Sequence, residues 1–365
     1  MKHGCWNEPA EIQFAWLIRQ ALRFTRRDAT QVFADRGGLP WPADLIHAAM
    51  KLDGDRDDRK IARIALPNRK GSPRTKNRRL SANKKLPPAA TNSEWSEVAM
   101  LRPSWSHADG MFSVDYSQPQ LRIELSLGRH ILLSGSTTLE LLFNDEPLVQ
   151  NTPWESVCWE SDKDVDYLEL EAMFSNEVRV QRQILFSRDD HFLLIADAVR
   201  GSVACNLRYA ASWPLGSGIV ANPRKRTREV TLTATKPRAD VLPLALPEWR
   251  RERCVGELEA FEDHLRLQQS NSGRGLYAPL FFDLAPRRRG RPVTWRQLTV
   301  AEDRKIQASD VAVGYRVQLS KKQWLIYRSL DERGSRSVLG ENLISEFLVC
   351  RVDGNGAGDR LLEIE

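Results

Sequence analysis

The sequence predicts a mainly β protein, a large antiparallel β-sandwich preceded by a short N-terminal helical segment. Three observations predict it. From Glu97 onward, apolar residues recur with period two in many short runs. Turn residues separate those runs at short intervals, as in all-β sandwiches. Only the first fifty residues carry a helical stripe.

The helical part is residues 1–52. From Pro9 to Phe24, the residues Ile12, Trp16, Leu17 and Ala21, flanked by Phe14, Ile18 and Leu22, form a broad apolar face. Pro42 to Leu52 reads as a second helix with proline in its first turn. The glycines and proline at 37–40 separate the two.

Residues 53–92 read as a basic, Pro-rich, disordered linker. Between Arg59 and Lys85 stand eleven Lys/Arg and no acidic residue. Subtracting those eleven from the formal charge of +6 leaves −5 for the rest of the chain, so the basicity belongs to this segment. Such a stretch meets nucleic acid or another polyanion, or serves as a solvated tether. It lacks an aromatic residue for base stacking, which favours the tether.

Residues 93–365 read as the sandwich. Leu121, Ile123, Leu125 and Leu127 alternate with Arg122, Glu124 and Ser126, and Leu168, Leu170, Ala172 and Phe174 alternate likewise. Further runs lie at 137–143, 191–200, 228–235, 276–284, 311–319 and 324–328. One hairpin can be placed in register. Turning through Ser175-Asn176-Glu177 sets Phe174 opposite Val178, Ala172 opposite Val180 and Leu168 opposite Ile184. That register puts Arg182 on the apolar face opposite Leu170. A charge there needs a buried Asp or Glu partner, or it lines a groove. The loops 223–228 and 286–291 carry basic tips suited to solubility or to an acidic polysaccharide. The loop 353–359 looks like a calcium loop, but Ala357 stands at a ligand position and Ile364 where the bidentate Glu belongs.

Several functional classes lack their motif. There is no phosphate loop, dinucleotide fingerprint, nucleophile elbow or His-Glu-x-x-His, so no cofactor is expected. The six histidines are scattered, as are the five cysteines, which have no Cys-x-x-Cys pair; no metal site is expected and buried free thiols are. No run reaches the roughly 18 apolar residues of a membrane span. The N-terminus lacks an apolar leader core, which places the chain as written in the cytoplasm. A different start codon would make it extracytoplasmic.

The segments 121–135 (LRIELSLGRHILLSG) and 178–201 (VRVQRQILFSRDDHFLLIADAVRG) resemble the β-domain of the heparinase II/III polysaccharide lyases. In the second, an Arg-bearing strand is followed by an apolar strand ending in Asp and a Gly turn. The resemblance spans about 93–365 and implies a β supersandwich. In that family a helical toroid precedes the β-domain, and together they cleave acidic polysaccharides by β-elimination. A base takes the proton beside a uronate carboxylate while a donor or metal neutralises that carboxylate. The toroid supplies a Tyr. The β-domain supplies histidines, including a His-x-His-x-Asp-like segment before the first long strand. Here that place holds Asp115-Tyr116-Ser117-Gln118-Pro119-Gln120, Val180-Gln181 precede Arg182 where the family often has His, and about fifty residues cannot form a toroid.

The resemblance and these departures imply a lyase-related protein that has lost its catalytic groups and keeps a carbohydrate-binding or structural role. Trp159, Tyr167, Arg179 and Arg182 are the carbohydrate-binding candidates, since aromatics stack on sugars and Arg forks match carboxylates. The alternatives are an active lyase using Tyr116 or Tyr167 with Arg179 or Arg182, and a polyanion-binding module acting through Arg59 to Lys85.

Overall fold

The computed structural model describes residues 7–34, 43–66, 86–352 and 358–365. They form three helices and three stacked sheets, with a small four-stranded sheet beside the last. Helices α1 (Glu8–Arg23), α2 (Ala43–Asp53) and α3 (Arg56–Ala65) enclose a small core of Ile18, Leu22, Ile46, Met50, Ile61 and Trp105. The first two helices fall where the apolar stripe puts them. The third corrects the linker reading. Asp55 caps it by accepting from the Asp58 amide at 2.6 Å, and Ile61, Ala62 and Ala65 face inward. Its high charge hides a narrow apolar stripe. The rest of the basic segment, 67–85, and most of the loop 353–359 lie outside the described residues.

The first sheet has five antiparallel strands, from Thr91–Ser93 to His130–Ser136. The second is the largest, with eleven strands, and contains two long ones, Phe192–Pro214 and His264–Asp283, paired along most of their length. The third holds five strands between Val293 and Ile364. One core lies between the first and second sheets, around Phe112, Leu125, Leu168, Ile184 and Trp213. Another lies between the second and third, around Tyr167, Leu185, Phe281, Trp324 and Phe347.

The hairpin of Val165–Met173 with Arg179–Ser187 has the register that the apolar pattern dictates: Ala172 faces Val180, Leu170 faces Arg182, and Leu168 faces Ile184. Phe174 donates its amide to the Val178 carbonyl at 2.7 Å. Asn176 and Glu177 turn the chain with φ of 58° and 56°, the left-handed pair of a tight hairpin. Each buried Leu or Ile contributes roughly 2 kcal/mol. The pair differs from a half-buried one in a single respect. The third sheet covers its other face, so Glu169, placed by alternation on the solvent side, is 4% exposed.

Gly201 also departs from expectation. It does not end a strand; Phe192–Pro214 runs through it, absorbing a bulge between Arg200 and Cys205. Of the cysteines, Cys205 and Cys350 are buried free thiols, while Cys158 and Cys254 are half-buried and free. No described helix is long and apolar enough to cross a membrane.

Among the contacts that fasten the helical segment to the sandwich, two bear on stability and its pH dependence. Arg26 forks onto Glu124. His107, buried on a short 3-10 turn, meets the Ala65 carbonyl at the end of α3 through Nε2 at 2.9 Å. Burial first, then the neighbouring Arg102 charge, draws the His107 pKa down to about 4. An unfolded histidine takes its proton near 6.5. The folded state therefore loses stability relative to the unfolded chain as pH falls through the window from about 6.5 to about 4, and nothing changes above it. The loss is of order 3 kcal/mol. Urea midpoints at pH 7.5 and 5 should differ less for His107→Asn than for the wild type; equal pH dependence in both would contradict this.

Candidate functional site

Three neighbouring strands carry the candidate residues, but to opposite faces of the second sheet. Arg182, opposite Leu170, points into the core against the first sheet. Tyr167, opposite Leu185, points into the core against the third. Trp159 pairs with Leu168 and is half-buried against the first core. Arg179 stands at the strand end, its side chain 49% exposed, 3.7 Å from Glu171. The four do not line one groove.

Arg182 takes the structural alternative. Its guanidinium donates to both oxygens of Asp197, Nε to Oδ1 and Nη2 to Oδ2, each at 2.7 Å. Tyr209 donates its hydroxyl to Asp197 Oδ2 at 2.7 Å, and the guanidinium lies 5.4 Å from the Trp154 ring centre. Burial opposes the Arg182 charge, but Asp197, by charge and hydrogen bonds, and Tyr209 carry its pKa above the ordinary value. No lone pair or N–H of this fork is aimed at solvent, because Arg182 is 2% and Asp197 1% exposed.

Tyr167 belongs to a second buried network. Its hydroxyl donates to Glu169, and Gln183 Nε2 donates to the Tyr167 oxygen at 2.9 Å. Tyr277 donates to Gln183 Oε1 at 2.8 Å. Arg328, wholly buried, donates to Gln181 Oε1 at 2.5 Å and to Glu346 at 3.0 Å. Burial first, then the Glu169 charge, pushes the Tyr167 phenol well above its usual range. A phenol held protonated in this way is not a base.

The segment 115–120, standing where the resemblance calls for histidines, is folded on itself. Asp115 Oδ1 accepts the Ser117 amide at 3.1 Å and its hydroxyl at 2.7 Å, and the Pro119 carbonyl accepts from Trp154 Nε1 at 2.9 Å. Tyr116 is buried, donates to Asn92 Oδ1 at 3.0 Å, and is pushed up to about 12, chiefly by burial and then by Glu94. Among the described residues, no three His, Cys, Asp or Glu side chains gather to hold a metal.

Open clefts lie elsewhere, two of them lined by described residues. The larger, about 460 Å³, lies between the loop 244–252 and the strand Val293–Leu298, with Trp249 at its mouth. The smaller, about 240 Å³, lies where Arg26 and Ala34 meet Arg129, His130 and Ser217. Neither contains one of the four carbohydrate-binding candidates; the smaller is lined by Arg129, His130, Ile131 and Ser134 of the segment 121–135. The basic tip 223–228 was the available signal for the larger one, because it packs against the loop that carries Trp249.

Three stacked sheets, the central one buried on both faces, with a helical segment against the first, match known structures. The chain has a heparinase-like fold. It superimposes on the heparan sulfate lyase HepC of Pedobacter heparinus with a TM-score of 0.55 at 11% identity, covering 85% of this chain and 52% of that one. A heparinase III with methylated lysines gives 0.56 at 11% identity over 89% of this chain and 53% of its own. Another heparinase III gives 0.55 at 9% identity over 89% and 55%. The chain thus spans about half the length of these heparinase structures. No family model and no curated protein matches the sequence. At such identities the likeness is one of fold, and a site must be argued from residues.

Proposed function

We propose that this is a lyase-related protein that binds an acidic polysaccharide without cleaving it. One observation carries the reading: the residues best placed by sequence for β-elimination are consumed inside the fold. Tyr116 and Tyr167 are buried, hydrogen-bonded phenols with raised pKa values. Arg182 is committed to Asp197 and turned to the face opposite Tyr167. β-Elimination needs a base and a carboxylate neutraliser converging on one sugar, and these groups do not converge. The heparinase-like fold supports a polysaccharide as ligand, and the exposed basic loops support an acidic one.

The test is direct. Incubation with heparan sulfate, chondroitin sulfate or alginate should give no rise in absorbance near 232 nm, where the 4,5-unsaturated product absorbs, while the same polymers are retained by the immobilised protein. A steady rise that tracks protein concentration would establish a lyase.

A further inference from the structure

Two loops distant in sequence are zipped together beside the larger cleft. Thr227 pairs with Trp249 as an isolated antiparallel bridge. Around it, Arg228 donates its amide to the Glu248 carbonyl at 2.9 Å, and Arg250 donates its amide to the Arg226 carbonyl at 3.0 Å. Arg250 Nε reaches the carbonyls of Arg224 and Thr227, each at 3.0 Å, and Arg228 Nη2 reaches that of Glu252 at 2.8 Å. The backbone that carries the charges is therefore fixed before any ligand arrives.

What the zipped loops display is cationic. Arg224, Lys225, Arg226, Arg251 and Arg253 are exposed on them, and Arg296 is exposed on the facing wall of the cleft. Among the described residues, none of Lys225, Arg226, Arg251, Arg253 and Arg296 has a carboxylate within ion-pair distance, and Arg224 has Glu229 only at 4.0 Å. Trp249, 39% exposed, stands among them with the Arg251 guanidinium 5.6 Å from its ring centre. In the cleft wall, Glu248 is occupied by the Thr294 hydroxyl and the Trp295 amide, while the Glu252 side chain is exposed.

We propose that this cleft, with Trp249 and the loops 223–228 and 249–253, is a binding site for an acidic oligosaccharide. This rests on the reading above that the ligand is an acidic polysaccharide, and it names where the chain holds it. A sugar ring stacks on the Trp249 face. Its hydroxyls donate to Glu252 and exchange hydrogen bonds with Gln297. Its sulfate or carboxylate groups take the guanidinium forks of the rim. Single-stranded nucleic acid fits less well. It favours a row of stacking aromatics along a basic groove, whereas Trp249 is the one aromatic exposed among these cations, and a phosphodiester backbone offers no proton to Glu252.

The experiment is calorimetric titration of the full chain with a heparan sulfate hexasaccharide at low ionic strength. Trp249→Ala should weaken binding about tenfold. The triple variant Arg224→Ser/Lys225→Ser/Arg226→Ser should weaken it by about tenfold or more and flatten its salt dependence. A triple variant of equal charge change elsewhere, Arg304→Ser/Lys305→Ser/Arg333→Ser, all exposed, should stay within about twofold. Arg251→Ser, which removes only an exposed cation, should weaken binding about threefold and serves if Trp249→Ala does not fold. Wild-type binding that survives the site variants, or falls equally in the charge control, would overturn this site alone. No binding by the wild type would overturn the acidic-polysaccharide reading itself. A single-stranded oligonucleotide of equal charge bound as tightly, with equal sensitivity to Trp249→Ala, would reassign the site to nucleic acid.

Discussion

Asp197→Ala is expected to cost about 3–5 kcal/mol, read as a lower urea midpoint, the largest single loss we foresee. The reason is what remains rather than what leaves. Arg182 would stay in the first core at 2% exposure with both strong acceptors gone, and the Tyr209 hydroxyl would lose its partner as well. An unpaired buried charge costs far more than a paired one contributes. The double variant Arg182→Leu/Asp197→Leu should recover most of the loss, since two apolar side chains of similar bulk leave no charge to compensate. If Asp197→Ala lowers stability by less than 1 kcal/mol, the fork is not buried as described and Arg182 is free to serve a ligand.

Glu124→Ala should loosen the helical segment at a cost of roughly 3 kcal/mol. Glu124 is 1% exposed and accepts from Arg26 Nε at 2.7 Å, from Arg26 Nη2 at 2.5 Å, and from the Phe33 amide at 3.1 Å. Its removal strands a guanidinium whose side chain is 10% exposed and one backbone donor, both on the helical side of the junction. Hydrogen exchange should quicken in α1 and the following turn while the strands of the second sheet keep their protection. Uniform protection across both would mean the segment is held by its apolar contacts alone.

Glu124 also shows how far the sequence could be read. Alternation places it correctly on the face opposite Ile123 and Leu125, and the period-two pattern foretells the strand. It cannot foretell that the helical segment covers that face, because the covering residue, Arg26, lies 98 positions away. Glu169 repeats the case on the second sheet, where the third sheet lies above it. The hairpin register was legible because only one pairing gathers the apolar side chains on one face. α3 was missed since its charge outweighs its stripe, although Asp55 followed by Asp58 and Ile61 is a capped amphipathic start. Gly201 misled because a glycine accommodates a bulge within a long strand as readily as it ends one.

The site was less legible than the fold. Trp159, Tyr167, Arg179 and Arg182 lie on three adjacent strands, but strand geometry sends alternate side chains to opposite faces. Both sheet faces are covered, so Tyr167 and Arg182 became core, while Trp159 stays half-buried and Arg179 exposed at a strand end. The loop 249–253 and the tip 223–228 are each plain in the sequence as basic stretches. Their meeting depends on a pairing across some twenty residues, which no local pattern announces.

Binding without cleavage is the central claim, and mass spectrometry of a heparan sulfate hexasaccharide recovered from the immobilised protein tests it in one measurement. The hexasaccharide should be retained saturably, elute with salt, and return at its starting mass. Recovery of shorter, unsaturated fragments, or passage through the column without retention, would contradict the account.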